Sequence, residues 1–185
     1  MATIAIIGDG PGGLSAALFI ARAGHDVTVY GADQTVMHYA FLNNYLGVDA
    51  ISGTDFQTAA RQQVLNAGAA ISEESVTGVA ITGGGVEVTT ETGTAPADFL
   101  VLGEGKQMPL ANSLGIQTTD GEDEIVPVDR NGKTAIDAVY VIGRSARPTR
   151  SQAIISAGDG AAAALDILSR IEGKDVQDWD SPPKE

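Results

Sequence analysis

The chain has 185 residues, 43% of them hydrophobic, which is enough for one domain with a buried core. It contains no cysteine, and its formal charge is -13, from 24 acidic against 11 basic residues. Thiolate nucleophiles, disulfides and cysteine-held metals are thereby excluded within it, and it should repel nucleic acid and anionic membranes. Two histidines, His25 and His38, are too few for a histidine metal site, so no metal is expected. The acid is scattered, as on a solvated surface, and a sharper reading is adaptation to a high-salt cytoplasm. No run approaches the length of a membrane span. The first apolar run has no basic region before it and ends in glycines, so it reads as a strand, and a cytoplasmic protein is expected.

Thr3–Ile7 (TIAII) reads as a buried strand that runs into GDGPGG at Gly8–Gly13. A helix follows to about Ala23. Leu14, Ala17, Leu18 and Ala21 form its apolar face, and Gly24 stops it. Val27–Tyr30 is a second strand. Gly31–Gly53 reads as loop, and Thr54 or Asp55 as the cap of a helix running to Asn66 and closed by Gly68. Ala69–Ile71 and Val76–Thr82 look extended, Gly83–Gly85 is a turn, and Val86–Thr90 alternates as a half-buried strand. Phe99–Leu102 and Ala138–Ile142 are further buried strands. A long helix then covers about Ser151–Ile171, with Ile154, Gly158, Ala161, Leu165 and Leu168 on one stripe. The fold class is α/β: a Rossmann-like parallel sheet with helices and a small antiparallel β-meander. Residues 1–174 form the domain and 175–185 a polar tail, in which Trp179 reads as a docking residue.

Gly8, Gly10 and Gly13 have the GxGxxG spacing, with a strand before and a helix after. Gly8 allows the tight turn, Gly10 lets a pyrophosphate approach the backbone, and Gly13 lets helix pack on strand. Gly12 is a fourth glycine in the loop, and Pro11 has no N–H to lose at the first helical turn. The helix N-terminus then favours phosphate. A plain glycine-rich turn is the competing reading. The acid that should end the second strand and hold the ribose is Gly31; Asp33, two residues on, is the candidate that reaches back. No Arg or Lys lies nearby to hold a 2′-phosphate, which argues against NADP at this site.

GDGPGGLSAALFIARAG resembles the opening of the FAD domain of thioredoxin reductases and related two-dinucleotide flavoproteins. NNYLG at Asn43–Gly47 is similar to the family segment beside the flavin ring, which places Asn44 there. Tyr39, Phe41 and Tyr45 read as a shield for the ring or as core. LVLGEG at Leu100–Gly105 resembles the segment that crosses back over FAD, and Ala138–Leu165 resembles the closing motif. The resemblance implies an FAD domain without the family's NADPH domain and without its redox CxxC. The cofactor-binding residues so implied are Gly8, Gly10, Pro11, Gly12, Gly13, Asp33, Asn44, Val76, Gly105, Gly143, Arg144, Ser151, Gln152 and Ala153. Two of them depart from the family pattern: Arg144 replaces the aspartate of the closing GD pair, and Ser151 replaces the arginine of the helix start, with Arg150 adjacent. Ser151 is expected to cap the last helix, leaving the N–H groups of Gln152 and Ala153 toward the flavin.

The expected function is that of a small FAD-dependent oxidoreductase without dithiol chemistry, reduced by NAD(P)H, another protein or a small molecule. The alternative is a non-catalytic dinucleotide-binding sensor or partner subunit. An NAD dehydrogenase is disfavoured by the closing motif. No catalytic side chain is evident, and a homodimer is expected from the surface a missing domain leaves open.

Overall fold

The computed structural model describes residues 1–116, 119 and 126–177. Its centre is a five-stranded parallel sheet. Strand β1 (Thr3–Ile7) lies in the middle, paired with β2 (Asp26–Tyr30) on one side and β9 (Phe99–Leu102) on the other. β5 (Ala70–Ser72) extends the sheet beyond β2, and β10 (Val139–Val141) extends it beyond β9. Apolar residues occupy both faces of β1 because both are covered. Ile4 and Ile6 face a layer built from Leu14, Ile20, Val64, Ala163 and Ile167. Ala5 and Ile7 face Val86, Val88, Leu110 and Ala111.

Helices α1 (Pro11–Arg22), α2 (Gly53–Asn66) and α4 (Ala153–Glu172) supply the first layer. The second is the meander of β6 (Val76–Thr82), β7 (Gly85–Thr90) and β8 (Thr94–Ala97), with the short α3 (Pro109–Ser113). The expected architecture is present. β8 escaped the sequence reading because TAPA carries a proline. Pro96 is accommodated because β8 pairs only with β7, so its missing N–H faces outward from an edge.

The expected loop Gly31–Gly53 contains a 3₁₀ turn at Val36–Tyr39 and a two-residue ladder between β3 (Phe41–Leu42) and β4 (Ile51–Ser52). α2 is capped by Ser52, not by Thr54 or Asp55. The Ser52 hydroxyl accepts from the Asp55 N–H (3.0 Å) and donates to its carboxylate (2.7 Å). Gly53 can therefore start the helix hard against the 3₁₀ turn, where a Cβ would meet the Met37 carbonyl oxygen at 1.8 Å.

The last helix differs more. Its cap is Gln152, without a side-chain bond, and Ser151 caps nothing. Its buried stripe is Gly160, Ala163, Ala164, Ile167 and Leu168; of the expected stripe only Leu168 is buried. The cause is the crossing with α1. The helices meet backbone to backbone at Gly12 and Gly160, and that contact sets the rotation of α4. Among the described residues no helix is long and apolar enough to cross a membrane. Trp179 and residues 178–185 of the expected tail lie outside the described residues.

Candidate functional site

The glycine loop follows β1 directly. Gly8 has φ +100°, and its N–H donates to the Tyr30 carbonyl at 2.8 Å. A Cβ there would lie 2.4 Å from the Gly103 carbonyl oxygen, and one on Gly13 would lie 1.9 Å from the Gly8 carbonyl oxygen. Both positions are closed by backbone, and an added side chain would force β1, β9 and α1 apart. Gly10 is different. The nearest atom to its added Cβ is Thr35 Oγ1 at 3.7 Å, so the space beside it is open.

That space belongs to a cavity of about 410 Å³ at the carboxyl ends of β1, β9 and β10. The loop Gly8–Gly13, the turn Gly103–Lys106 and the segment from Ile142 to Ser156 surround it. Ligands of open α/β sheets bind at this end of the strands. Two helices open into the cavity, α1 at Pro11–Gly13 and α4 at Ala153. Neither has a side-chain cap, although the first N–H groups of a helix have no intrahelical acceptor. Two unfilled rows of donors and two positive dipole ends thus face one cavity.

The side chains around it carry charge of both signs. Arg144 is exposed, makes no ion pair with any described residue, and lines the cavity with Lys106. Glu104 accepts N–H bonds from Leu110 (2.8 Å) and Ala111 (3.1 Å), but burial prevails and raises its pKa above the usual carboxylate range. The buried Ser145 hydroxyl donates to the Gly105 carbonyl at 2.8 Å, which ties the turn after β9 to the turn after β10. Gly143 sits at φ +65° in that second turn.

Ten of the fourteen sequence-derived site residues line the cavity: Gly8, Gly10, Pro11, Gly12, Gly13, Gly105, Gly143, Arg144, Ser151 and Ala153. Asp33, Asn44, Val76 and Gln152 do not. Asp33 has φ 56° and turns its carboxylate to His38, with Oδ1 3.1 Å from Nε2. The Asn44 amide donates to Gln152 Oε1 at 3.1 Å, so these two hold each other. Val76 packs under the sheet with the meander. Of the expected aromatic shield, Tyr39 is 93% exposed, Phe41 is exposed, and Tyr45 packs against Phe56 with centroids 5.3 Å apart and rings tilted by 44°.

Sequence reasoning missed Asp9, Arg61 and Glu104. Asp9 is 5% exposed and lines the cavity. Its Oδ2 accepts from the Arg61 guanidinium and from the Asp33 N–H (3.0 Å). Its backbone carbonyl accepts from the fully buried Gln57 amide at 2.6 Å. The only available signal was its place inside the glycine spacing, where a charged residue has no evident packing role.

A parallel sheet with a glycine loop on its central strand and a cavity at the strand ends defines a dinucleotide-binding α/β fold. The family model for pyridine nucleotide-disulphide oxidoreductases matches residues 2–52, which hold β1, the glycine loop, α1 and β2. Among solved structures the chain is similar to a thioredoxin reductase from Gloeobacter violaceus. The identity is 17%, the TM-score 0.86, and the alignment covers 97% of this chain and 99% of that one. It is also similar to the atypical thioredoxin reductase TRi from Desulfovibrio vulgaris Hildenborough (18%, 0.84, 94% and 99%). A third is a ferredoxin-flavin thioredoxin reductase from Clostridium acetobutylicum (18%, 0.77, 93% and 98%). No curated protein sequence matches the chain. The resemblance read from the sequence thus holds at the level of the fold.

Proposed function

We propose that this chain is a small FAD-binding oxidoreductase of thioredoxin reductase-like type that works without a dithiol. The observation that carries this reading is the pair of uncapped helix N-termini opening into one cavity. The residues present fit the cofactor. Gly10 leaves room for a pyrophosphate at the backbone, the N–H groups of α1 supply its donors, and Arg144 and Lys106 supply cationic charge. The start of α4, at Ala153 and Ser156, offers a second positive end to a flavin ring that gains negative charge. FAD, when bound, supplies the hydride or electron transfer. The protein's own part is to bind and position it.

Residues 1–174 form the binding domain in this reading, with residues 175–185 as a tail. With no cysteine in the chain, electrons do not leave the flavin through a dithiol of this chain; in this reading they arrive from NAD(P)H at the flavin face or from a protein donor. The likeness to a ferredoxin-flavin thioredoxin reductase supports the latter. A homodimer in a cytoplasm is the setting we infer. The non-catalytic reading has its own observation: Asp33, the expected ribose acid, is turned to His38.

The visible spectrum of the purified protein separates these readings. Bands near ~450 nm, a property of oxidised flavin itself, establish the cofactor. Bleaching by NAD(P)H or by a reduced protein donor establishes the oxidoreductase. A colourless protein that takes up no added FAD overturns the proposal. A yellow one that no donor bleaches leaves the sensor reading standing.

A further inference from the structure

Gly31 directly follows β2, where this fold class places the acid that binds the adenosine ribose. The structure explains why glycine stands there. A Cβ on residue 31 would lie 2.4 Å from Asp9 Cγ, 2.5 Å from its Cβ and 2.8 Å from its Oδ1. The Asp9 carboxyl, arriving from the glycine loop, already fills the root of the side chain that residue 31 would carry. An acid at position 31 and an acid at position 9 exclude each other.

The Asp9 carboxylate is also fixed in place. Arg61 and the Asp33 N–H both bond Oδ2, and Arg61 donates as well to the Gly31 carbonyl at 3.3 Å. Oδ1 accepts no hydrogen bond among the described residues. Asp9 lines the cavity, and Oδ1 is the carboxylate oxygen left for a ligand there. A neutralised, immobilised carboxylate with one free oxygen is suited to accept ribose hydroxyls without repelling the neighbouring pyrophosphate.

We propose that Asp9 is the ribose acid of this site, moved from the end of β2 into the glycine loop, with Arg61 as its positioning residue. The inference rests on the nucleotide-binding reading above and deepens it. Asp33, its carboxylate directed to His38, does not take the role.

The test compares ADP with 2′,3′-dideoxy-ADP by calorimetric titration of the intact chain, with FAD titrated in parallel. Wild type should prefer ADP by about tenfold or more, the worth of one hydrogen bond to a charged acceptor. Asp9→Ala should bring the ratio to within about twofold, and Asp9→Gly/Gly31→Glu, which also removes the Cβ that would lie 2.5 Å from the new one, should restore a preference. Arg61→Met should reduce the ratio while leaving both ligands measurable. The ratio is the readout because a loss of folded protein weakens both ligands alike. An unchanged ratio in Asp9→Ala, or a ratio lost in Asp33→Ala and kept in Asp9→Ala, overturns the assignment and leaves the FAD reading intact. Wild type binding neither FAD nor ADP overturns both.

Discussion

A Cβ on Gly160 would lie 2.0 Å from the carbonyl oxygen of Gly12 and 2.8 Å from its carbonyl carbon. This contact lets α1 and α4 lie together closely enough for both N-termini to reach one cavity. Gly160→Ala forces backbone from backbone. The expected cost is about 2 kcal/mol or more, as for overpacking of a closed site. Urea unfolding should register it, and FAD affinity should fall with it. A variant as stable as wild type would show that the crossing has slack.

Gly31→Ala should likewise destabilise, because the Asp9 side chain occupies its space. Overpacking of about 1–3 kcal/mol corresponds to a Tm loss of roughly 2 °C or more in a chain of this size. The two sites are coupled, so Gly31→Ala should cost less in an Asp9→Gly background, which removes the Cβ 2.5 Å from the added one. A double-mutant cycle that closes additively would contradict the contact.

Arg144 replaces an acid expected from the resemblance, and it lines the cavity without an ion pair among the described residues. Arg144→Asp puts a negative charge where we expect phosphate or flavin. FAD affinity should drop about tenfold, and most at low salt. Tighter binding by the variant would mean that the arginine obstructs the cofactor.

Tyr140 is fully buried, and its hydroxyl donates to Asp166 Oδ2 at 2.5 Å while accepting from Arg170 at 3.2 Å. Burial, then the Asp166 bond, pushes the phenol well above its ordinary value of 10. The folded state therefore holds this proton more tightly than the unfolded one. The stability tied to it is complete below pH 10 and is lost as the pH rises toward the folded pKa. Tyr140→Phe should cost about 1–3 kcal/mol at neutral pH and flatten the alkaline limb of the stability profile. Denaturant titrations at pH 8 and pH 11 check both.

The charge of -13 favours a protein stabilised by salt. Its Tm should rise from low to molar KCl. A flat dependence would remove the high-salt reading.

The legible part of the molecule is the part encoded by neighbours in sequence. β1, the glycine spacing and α1 follow one another within Thr3–Arg22, so the turn and the approach at Gly10 could be read directly. The apolar run of β10 could be read for the same reason, whereas the cap of α4 was placed on Ser151 instead of Gln152. What could not be read depends on residues far apart. Nothing in GDG announces that Asp9 meets Gly31, or that Arg61 on α2 neutralises it. Nothing local to the last helix says which glycine touches Gly12, so its stripe was placed on the wrong residues. The Ser52 cap was missed because β4 runs into α2 without a loop, which hides the boundary.

The meeting of Gly12 with Gly160 also orders events during synthesis. β1 and the glycine loop leave the ribosome before β9, β10 and the start of α4, all of which the cavity needs. A nascent chain that already displays its phosphate-binding loop has only one of the two helix ends. Cofactor retention should therefore follow the synthesis of α4, and a chain truncated before Ala153 should present the recognisable loop without retaining the nucleotide.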